Sequence, residues 1–282
     1  MSTDAGVARV DLTGQVALVT GGGDGLGRAF ALALARAGAQ VAVTARRPEP
    51  LAETTGLIER LGGRGLAVPG DATAPEAVAG VVRTAESRLG PIDILVNNAG
   101  ALGPLGNDWQ IDPEDWGRTF DVNVLGAFRY AREVLPGMVK RKQGRIVNIT
   151  SGAGFGRLPQ MSAYCATKAA LTQWTKTLAA DTRAHGISVF ALHPGMVQTP
   201  MLAQVTSSDV PKQVADAFRA RLDEGRATPI ERSAEMLLFL VSGKADALSG
   251  RFVRAKEDDE SVLVQRAAEI ERNDLHTVTL RT

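Results

Sequence analysis

Between Ser151 and Lys168 the chain reads Ser-Gly-Ala-Gly-Phe-Gly-Arg-Leu-Pro-Gln-Met-Ser-Ala-Tyr-Cys-Ala-Thr-Lys. A hydroxyl, a phenol and an ammonium thus lie in one short segment, and together they suit proton transfer to or from an oxygen. A phenol with a pKa of ~10 is a poor acid or base at neutral pH. A lysine cation about 4 Å away, at an effective dielectric near 20, is worth roughly 4 kcal/mol, or about three pH units of acidity. Lys168 is therefore expected to draw Tyr164 toward working pH, where general acid–base catalysis is most efficient. Alone, Tyr-x-x-x-Lys is also an ordinary amphipathic helix pair, so the elements around it decide its meaning.

The apolar run Arg145 to Ile149 reads as a buried strand ending at Thr150 or Ser151, and a helical pattern follows from Ser162 to about His185. Tyr164 and Lys168 then leave the same helix face. Ser151 stands at the carboxyl end of the strand, where open parallel sheets bind ligands. Strand and helix patterns alternate along the rest of the chain. Strands are expected at Gln15–Thr20, Val41–Thr44, Leu66–Val68, Ile92–Val96 and Ile187–Leu192, and helices at Arg28–Ala37, Leu51–Leu61 and Pro75–Leu89. A further helix from Pro113 carries Trp116, Phe120, Asn123 and Phe128. This alternation predicts an α/β protein, a single doubly wound Rossmann-type domain with a parallel sheet of about seven strands and helices on both faces. We place the domain at 11–254, a flexible tail at 1–10 and a C-terminal extension at 255–282.

The composition of the 282 residues narrows the partners. With 32 basic and 31 acidic side chains, nothing argues for nucleic acid or an anionic membrane surface. Cys165 is the only cysteine, so no intrachain disulfide can form, which suits a reducing compartment. Its simplest role is a small apolar filler on the Tyr164 helix. The first ten residues include Asp4 and no apolar core, and no apolar run approaches membrane-spanning length. The expectation is a soluble cytoplasmic protein without a metal site.

The turn Thr20-Gly21-Gly22-Gly23-Asp24-Gly25-Leu26-Gly27 lies between the first strand and the first helix. A strand turning sharply into a helix aims backbone N–H groups and the positive helix end at one spot, suited to a pyrophosphate. Glycines keep the turn tight and let a ligand approach the backbone. With this turn and the Tyr164 segment in place, the sequence resembles the short-chain dehydrogenase/reductase family. Thr20-Gly21-x-x-x-Gly25-x-Gly27 is similar to its dinucleotide turn, and Asn97-Asn98-Ala99-Gly100 to its sheet-stabilising motif. Asn123 matches its helical asparagine, Ser151, Tyr164 and Lys168 its serine and Tyr-x-x-x-Lys spacing, and Pro194-Gly195-x-x-x-Thr199 its nicotinamide-holding segment.

The resemblance implies an oxidoreductase that moves a hydride between a nicotinamide cofactor and a ketone or secondary alcohol. It implies Tyr164 as the proton carrier and Lys168 as the group that tunes it and bonds the nicotinamide ribose. Ser151 would hold the substrate oxygen, and Asn123 would support a water chain to solvent. Cofactor contacts are implied at Gly21, Gly23, Asp24, Gly25, Leu26, Gly27, Asp71, Ala72, Asn98, Ala99, Gly100, Pro194, Gly195, Val197 and Thr199, besides Tyr164 and Lys168. A nucleotide-binding regulator without turnover typically loses the tyrosine or lysine, and the whole set is present here. A sugar-nucleotide epimerase or dehydratase is disfavoured by the chain length and by Asn97–Gly100.

An acid at the end of the second strand favours NAD, but this chain has Thr44-Ala45-Arg46-Arg47 there. Arginine suits bidentate phosphate recognition, so Arg46 with Arg47 favours NADP(H) over NAD(H), while Asp24 in the turn pulls the other way. Leu102, Phe155, Leu158, Met161 and Met196 are expected to form an apolar substrate pocket under a mobile lid at 200–229. The extension departs from the family's usual short tail: an acidic run, Glu257 to Glu260, precedes a helix from about Ser261 to Arg272. Asp274 to Leu280 then reads as a further strand. The stripe of Val262, Leu263, Ala267, Ala268 and Ile270 needs burial, and the expected product is a homo-oligomer, a tetramer or else a dimer, with the extension at a subunit boundary.

Overall fold

The computed structural model describes residues 10–277. Its strands are β1 (Val16–Thr20), β2 (Gln40–Thr44), β3 (Gly65–Ala67), β4 (Ile94–Asn97), β5 (Gly144–Ile149), β6 (Ile187–His193) and β7 (Phe252–Arg254). They form one seven-stranded sheet in the order β3-β2-β1-β4-β5-β6-β7, with every neighbouring pair parallel. β1 and β4 are apolar along nearly their whole length because both faces of the sheet are covered. The strand order reverses between β1 and β4, which opens a crevice at their carboxyl ends.

Helices α1 (Gly25–Arg36), α2 (Pro48–Arg60) and α9 (Ile230–Val241) cover one face, burying Phe30, Leu34, Leu51, Ile58, Leu237 and Leu240. On the other face lie α3 (Pro75–Leu89), α5 (Gly126–Arg141) and α6 (Ser162–Thr182), through Val78, Val81, Tyr130, Val134, Met138 and Leu178. The helix expected from Pro113 is not continuous. Asp112 caps α4 (Pro113–Phe120) by accepting from the Glu114 N–H at 2.7 Å, and a π turn, Asp121–Leu125, then separates α4 from α5. The segment expected to be a polar lid contains α7 (Pro200–Val205) and α8 (Lys212–Asp223), with Val205, Val214 and Ala215 buried.

The C-terminal helix is likewise divided, into α10 (Glu260–Gln265) and α11 (Ala267–Arg272). Leu263 and Ile270 join the core beside α9, while Val262 and Val264 stay exposed. The extension therefore folds back on its own domain. Asp274 ties it down by receiving Lys176 of α6 at 2.6 Å and Arg251 at 2.5 Å. These two cations hold the Asp274 carboxyl down at about 2. Residues 274–277 form a turn and bends where a strand was expected; the remainder of that stretch, and residues 1–9 of the expected tail, lie outside the described residues.

Candidate active site

The site begins where β1 turns into α1. Gly21 has φ +64°, and a Cβ on Gly27 would stand 2.0 Å from the Gly21 carbonyl oxygen, so neither position admits a side chain. Asp24 occupies the N-cap of α1 without making a side-chain cap bond, which leaves the first-turn N–H groups of a twelve-residue helix to an anionic ligand. The Asn98 amide donates to the carbonyls of Thr20 at 2.9 Å and Gly21 at 3.2 Å, and so pins the turn to the end of β4. Arg28 grips the Gly23 carbonyl through Nε at 3.0 Å and Nη2 at 2.6 Å, which keeps Gly23 buried.

A buried ladder carries this alignment across the sheet. Asn97 Nδ2 donates to Asn148 Oδ1 at 2.9 Å, and Asn148 Nδ2 donates to Thr175 Oγ1 of α6 at 2.9 Å. Just beyond β5, Ser151 Oγ accepts the Ala153 N–H at 3.1 Å and shapes the short turn leading toward α6. Lys168 Nζ lies 5.6 Å from the centroid of the Tyr164 ring, on the shared helix face the spacing required.

Burial sets the protonation of this pair. Lys168 is 5 % exposed, its one hydrogen bond among the described residues runs to the Ile149 carbonyl at 2.8 Å, and desolvation pushes its pKa down to about 8. Burial also raises the Tyr164 phenol above its ordinary range, with a Ser151 hydrogen bond working against it. The expected lowering of Tyr164 by Lys168 is thus not found: burial is the main influence on the phenol, and the ammonium is engaged by the Ile149 carbonyl rather than held against the phenol oxygen.

Asn123 sits on the π turn. Its amide donates to the Ala101 carbonyl and to Thr167 Oγ1, both at 2.9 Å, and Oδ1 accepts the Ala101 N–H at 2.7 Å. Both amide hydrogens are used, and one oxygen lone pair is left over. That oxygen and Lys168 Nζ flank the open side of Gly100, 3.4 and 3.7 Å from where a Cβ would be.

One cleft of about 540 Å³ gathers Gly21, Asp24, Gly25, Leu26, Gly27, Asn98, Ala99, Gly100, Ser151, Tyr164, Lys168, Pro194, Gly195, Val197 and Thr199. Gly23, Arg46, Asp71, Ala72 and Asn123 do not line it. Asp71 is held below the usual carboxylate range, chiefly by the Thr73 N–H at 2.9 Å. Arg47, not Arg46, meets Asp24, at 3.0 Å. Leu102, Leu158, Met161 and Met196 line the cleft as expected, but Phe155 does not; its ring packs edge-on against Phe252, centroids 4.7 Å apart.

Several lining residues were not anticipated. His193 stacks on Phe252 and is held below the ordinary imidazole pKa mainly by burial. Phe218 belongs to an apolar i, i+4 series with Val214 and Leu222, a helical signal present in the sequence. Lys256 and Glu257 come from the extension, and no local pattern marks them as site residues. Among the described residues no group of three or more His, Cys, Asp or Glu is placed to hold a metal, and no helix is long and apolar enough to cross a membrane.

A doubly wound sheet with a glycine turn and a Ser–Tyr–Lys set at its crevice defines a nicotinamide-dependent oxidoreductase. The profile of the short chain dehydrogenase family matches residues 15–209, and the chain belongs to that family. It is 36% identical over 246 residues to 2-(S)-hydroxypropyl-CoM dehydrogenase 3 of Xanthobacter autotrophicus, covering 85% of this chain and 94% of that one. It is 34% identical to the NAD(+)-linked 2-dehydro-3-deoxy-L-rhamnonate dehydrogenase of a Sphingomonas species, covering 81% and 88%. A solved actinorhodin polyketide ketoreductase variant with NADPH superimposes with TM-score 0.79 at 33% identity, covering 85% of this chain and 95% of that one. A 7α-hydroxysteroid dehydrogenase with NADH and 7-oxo glycochenodeoxycholic acid gives 0.80 at 30%, covering 87% and 94%. The chain is accordingly an oxidoreductase acting between CH–OH and C=O with a nicotinamide cofactor.

Proposed function

We propose that Tyr164 exchanges the proton with the substrate oxygen of a ketone or secondary alcohol, that Ser151 orients that oxygen, and that Lys168 bonds the nicotinamide ribose. The observation that carries this reading is the convergence of all three side chains with the glycine turn on one cleft. The cofactor fits the residues present: Gly21 and Gly27 let the turn close tightly on itself and on Asn98, and the first-turn amides of α1, with no side-chain cap from Asp24, suit a pyrophosphate. Once bound, the nicotinamide supplies or accepts the hydride. The chain's own part is proton traffic. Tyr164, half-buried in the cleft and neutral at pH 7, is the donor when a carbonyl is reduced. The free Asn123 Oδ1 lone pair and Lys168 Nζ border the space beside Gly100 through which a water would replace that proton.

For the cofactor we favour NADP(H) over NAD(H). Arg47 neutralises Asp24, the acid that would repel a 2′-phosphate, while Arg46 has no ion-pair partner among the described residues. Leu125 and Phe128, 44% and 47% exposed around the π turn, supply an apolar surface for a homo-oligomer, for which we favour a tetramer.

The decisive test is a panel of ketones and secondary alcohols assayed with each cofactor, in the parent and in Tyr164→Phe. The variant keeps the ring and should still bind reduced cofactor, with turnover lost by at least about a hundredfold. Turnover of a good substrate by Tyr164→Phe within a few-fold of the parent would remove the assignment.

A further inference from the structure

Around Tyr164 the cleft is apolar, lined by Leu102, Leu158, Met161 and Leu202, but its outer wall is cationic. Arg157 comes from the loop after β5, Arg221 from the end of α8, Arg226 from the turn that follows, and Lys256 from the extension. The acids on the same lining are Asp24, matched by Arg47 at the glycine turn, and Glu257. Arg226 is matched by Glu224 at 2.8 Å. Besides the buried Lys168, Arg157, Arg221 and Lys256 are thus the lining cations left unmatched among the described residues, with Glu257 the one remaining acid on the lining. Among the described residues neither Arg157 nor Arg221 forms an ion pair with any acid.

Arg221 is also held in place. Its guanidinium lies over the Phe218 ring, 5.4 Å from the centroid, and Phe218 packs in the cluster that contains Tyr164. A guanidinium stacked this way keeps its in-plane N–H groups for a planar acceptor. Lys256 donates to the carbonyls of Gly225 at 2.9 Å and Ala227 at 3.1 Å, fastening the turn after α8 to the extension. A dinucleotide would place its pyrophosphate at the N-terminus of α1 and any 2′-phosphate at Arg46, so this second group of cations is left for another anion.

We propose that the substrate carries a carboxylate, bound by Arg221 and Arg157, on a short apolar segment whose carbonyl or alcohol carbon reaches Tyr164. The proposal rests on the oxidoreductase reading above and narrows its substrate class. It is tested by comparing acetoacetate and levulinate with their methyl esters, using reduced cofactor, in the parent and in an Arg157→Gln/Arg221→Gln double variant. The acids should exceed their esters in kcat/KM by roughly ten- to hundredfold, and that preference should collapse toward unity in the double variant. In parallel, levulinate is titrated calorimetrically into enzyme saturated with oxidised cofactor, where no hydride can move. Binding should be seen in the parent and be at least tenfold weaker in the double variant. Esters used as well as acids, or levulinate binding that is absent or indifferent to the two arginines, overturns the carboxylate assignment and leaves the oxidoreductase reading standing. Arginine-dependent levulinate binding without turnover of any carbonyl would instead uphold the anion site and count against the hydride-transfer reading.

Discussion

Replacing Lys168 by Met should make the cofactor-free protein more stable at pH 7. Lys168 is a buried cation whose hydrogen bond runs 2.8 Å to the Ile149 carbonyl. The fall of its pKa from 10.5 to about 8 corresponds to a penalty of roughly 3 kcal/mol while the group is charged in both folded and unfolded chains. The unfolded chain holds the proton more tightly, so stability rises with pH from about 8 toward 10.5, and the penalty is full only below that window. Methionine keeps the length and fills the space, at the loss of a hydrogen bond worth about 1–1.5 kcal/mol. The net gain at pH 7 is then about 1–2 kcal/mol, and it should be nearly gone at pH 9.5, where the parent's lysine is already neutral when folded. Tyr164, shifted upward, adds no pH dependence up to there, because the stability linked to it is lost only above its ordinary value of 10. Urea unfolding followed by far-UV circular dichroism at both pH values reads this directly. A variant less stable than the parent at pH 7, with the parent's pH dependence unchanged, would refute the reasoning.

Arg46→Ala should weaken NADPH binding roughly tenfold or more and leave NADH nearly unaffected, as read by cofactor fluorescence; equal losses would show that Arg46 meets no phosphate. Asp274→Asn should loosen the extension by less than ~1 kcal/mol at pH 7, because the carboxylate is partly solvated. The parent should lose that same increment as pH falls from 3.8 through about 2, so acid unfolding of parent and variant should converge. Ile270→Ala, in the core beneath the extension, should cost about 2–5 kcal/mol in urea unfolding while sparing cofactor affinity.

What could be read from the sequence was whatever is written locally. The glycine turn, the Tyr164–Lys168 spacing and the alternation of apolar runs each depend on residues a few positions apart, and the structure places them as expected. Boundaries moved where the backbone changed its period, as at the π turn, because Asp121–Leu125 contains no glycine or proline to announce the break. The electrostatics of the pair could not be read at all. Spacing shows that Lys168 is near Tyr164, whereas the desolvation that governs both depends on Ile149, Ser151 and the apolar wall. Lys256 and Glu257 were invisible for a similar reason: their place in the cleft is fixed by β7 and the fold of the extension, and Lys256 meets carbonyls of the lid about thirty residues away. The Arg47–Asp24 contact belongs to the same class, a meeting of two loops that no one-dimensional pattern announces.

The widened turn at Asp121–Leu125 acts as a phase shifter. One added residue advances a helix by about 100°, so α4 and α5 can each keep their own buried face while the residue between them is swung toward the crevice. A protein with an unbroken helix here would have to choose between burying Tyr130 and Met138 against the sheet and delivering Asn123 to Ala101 and Thr167. Loss of one residue of 121–125 other than Asn123 would restore the regular period. It would leave the helix better bonded, and the asparagine would point at the wrong neighbour.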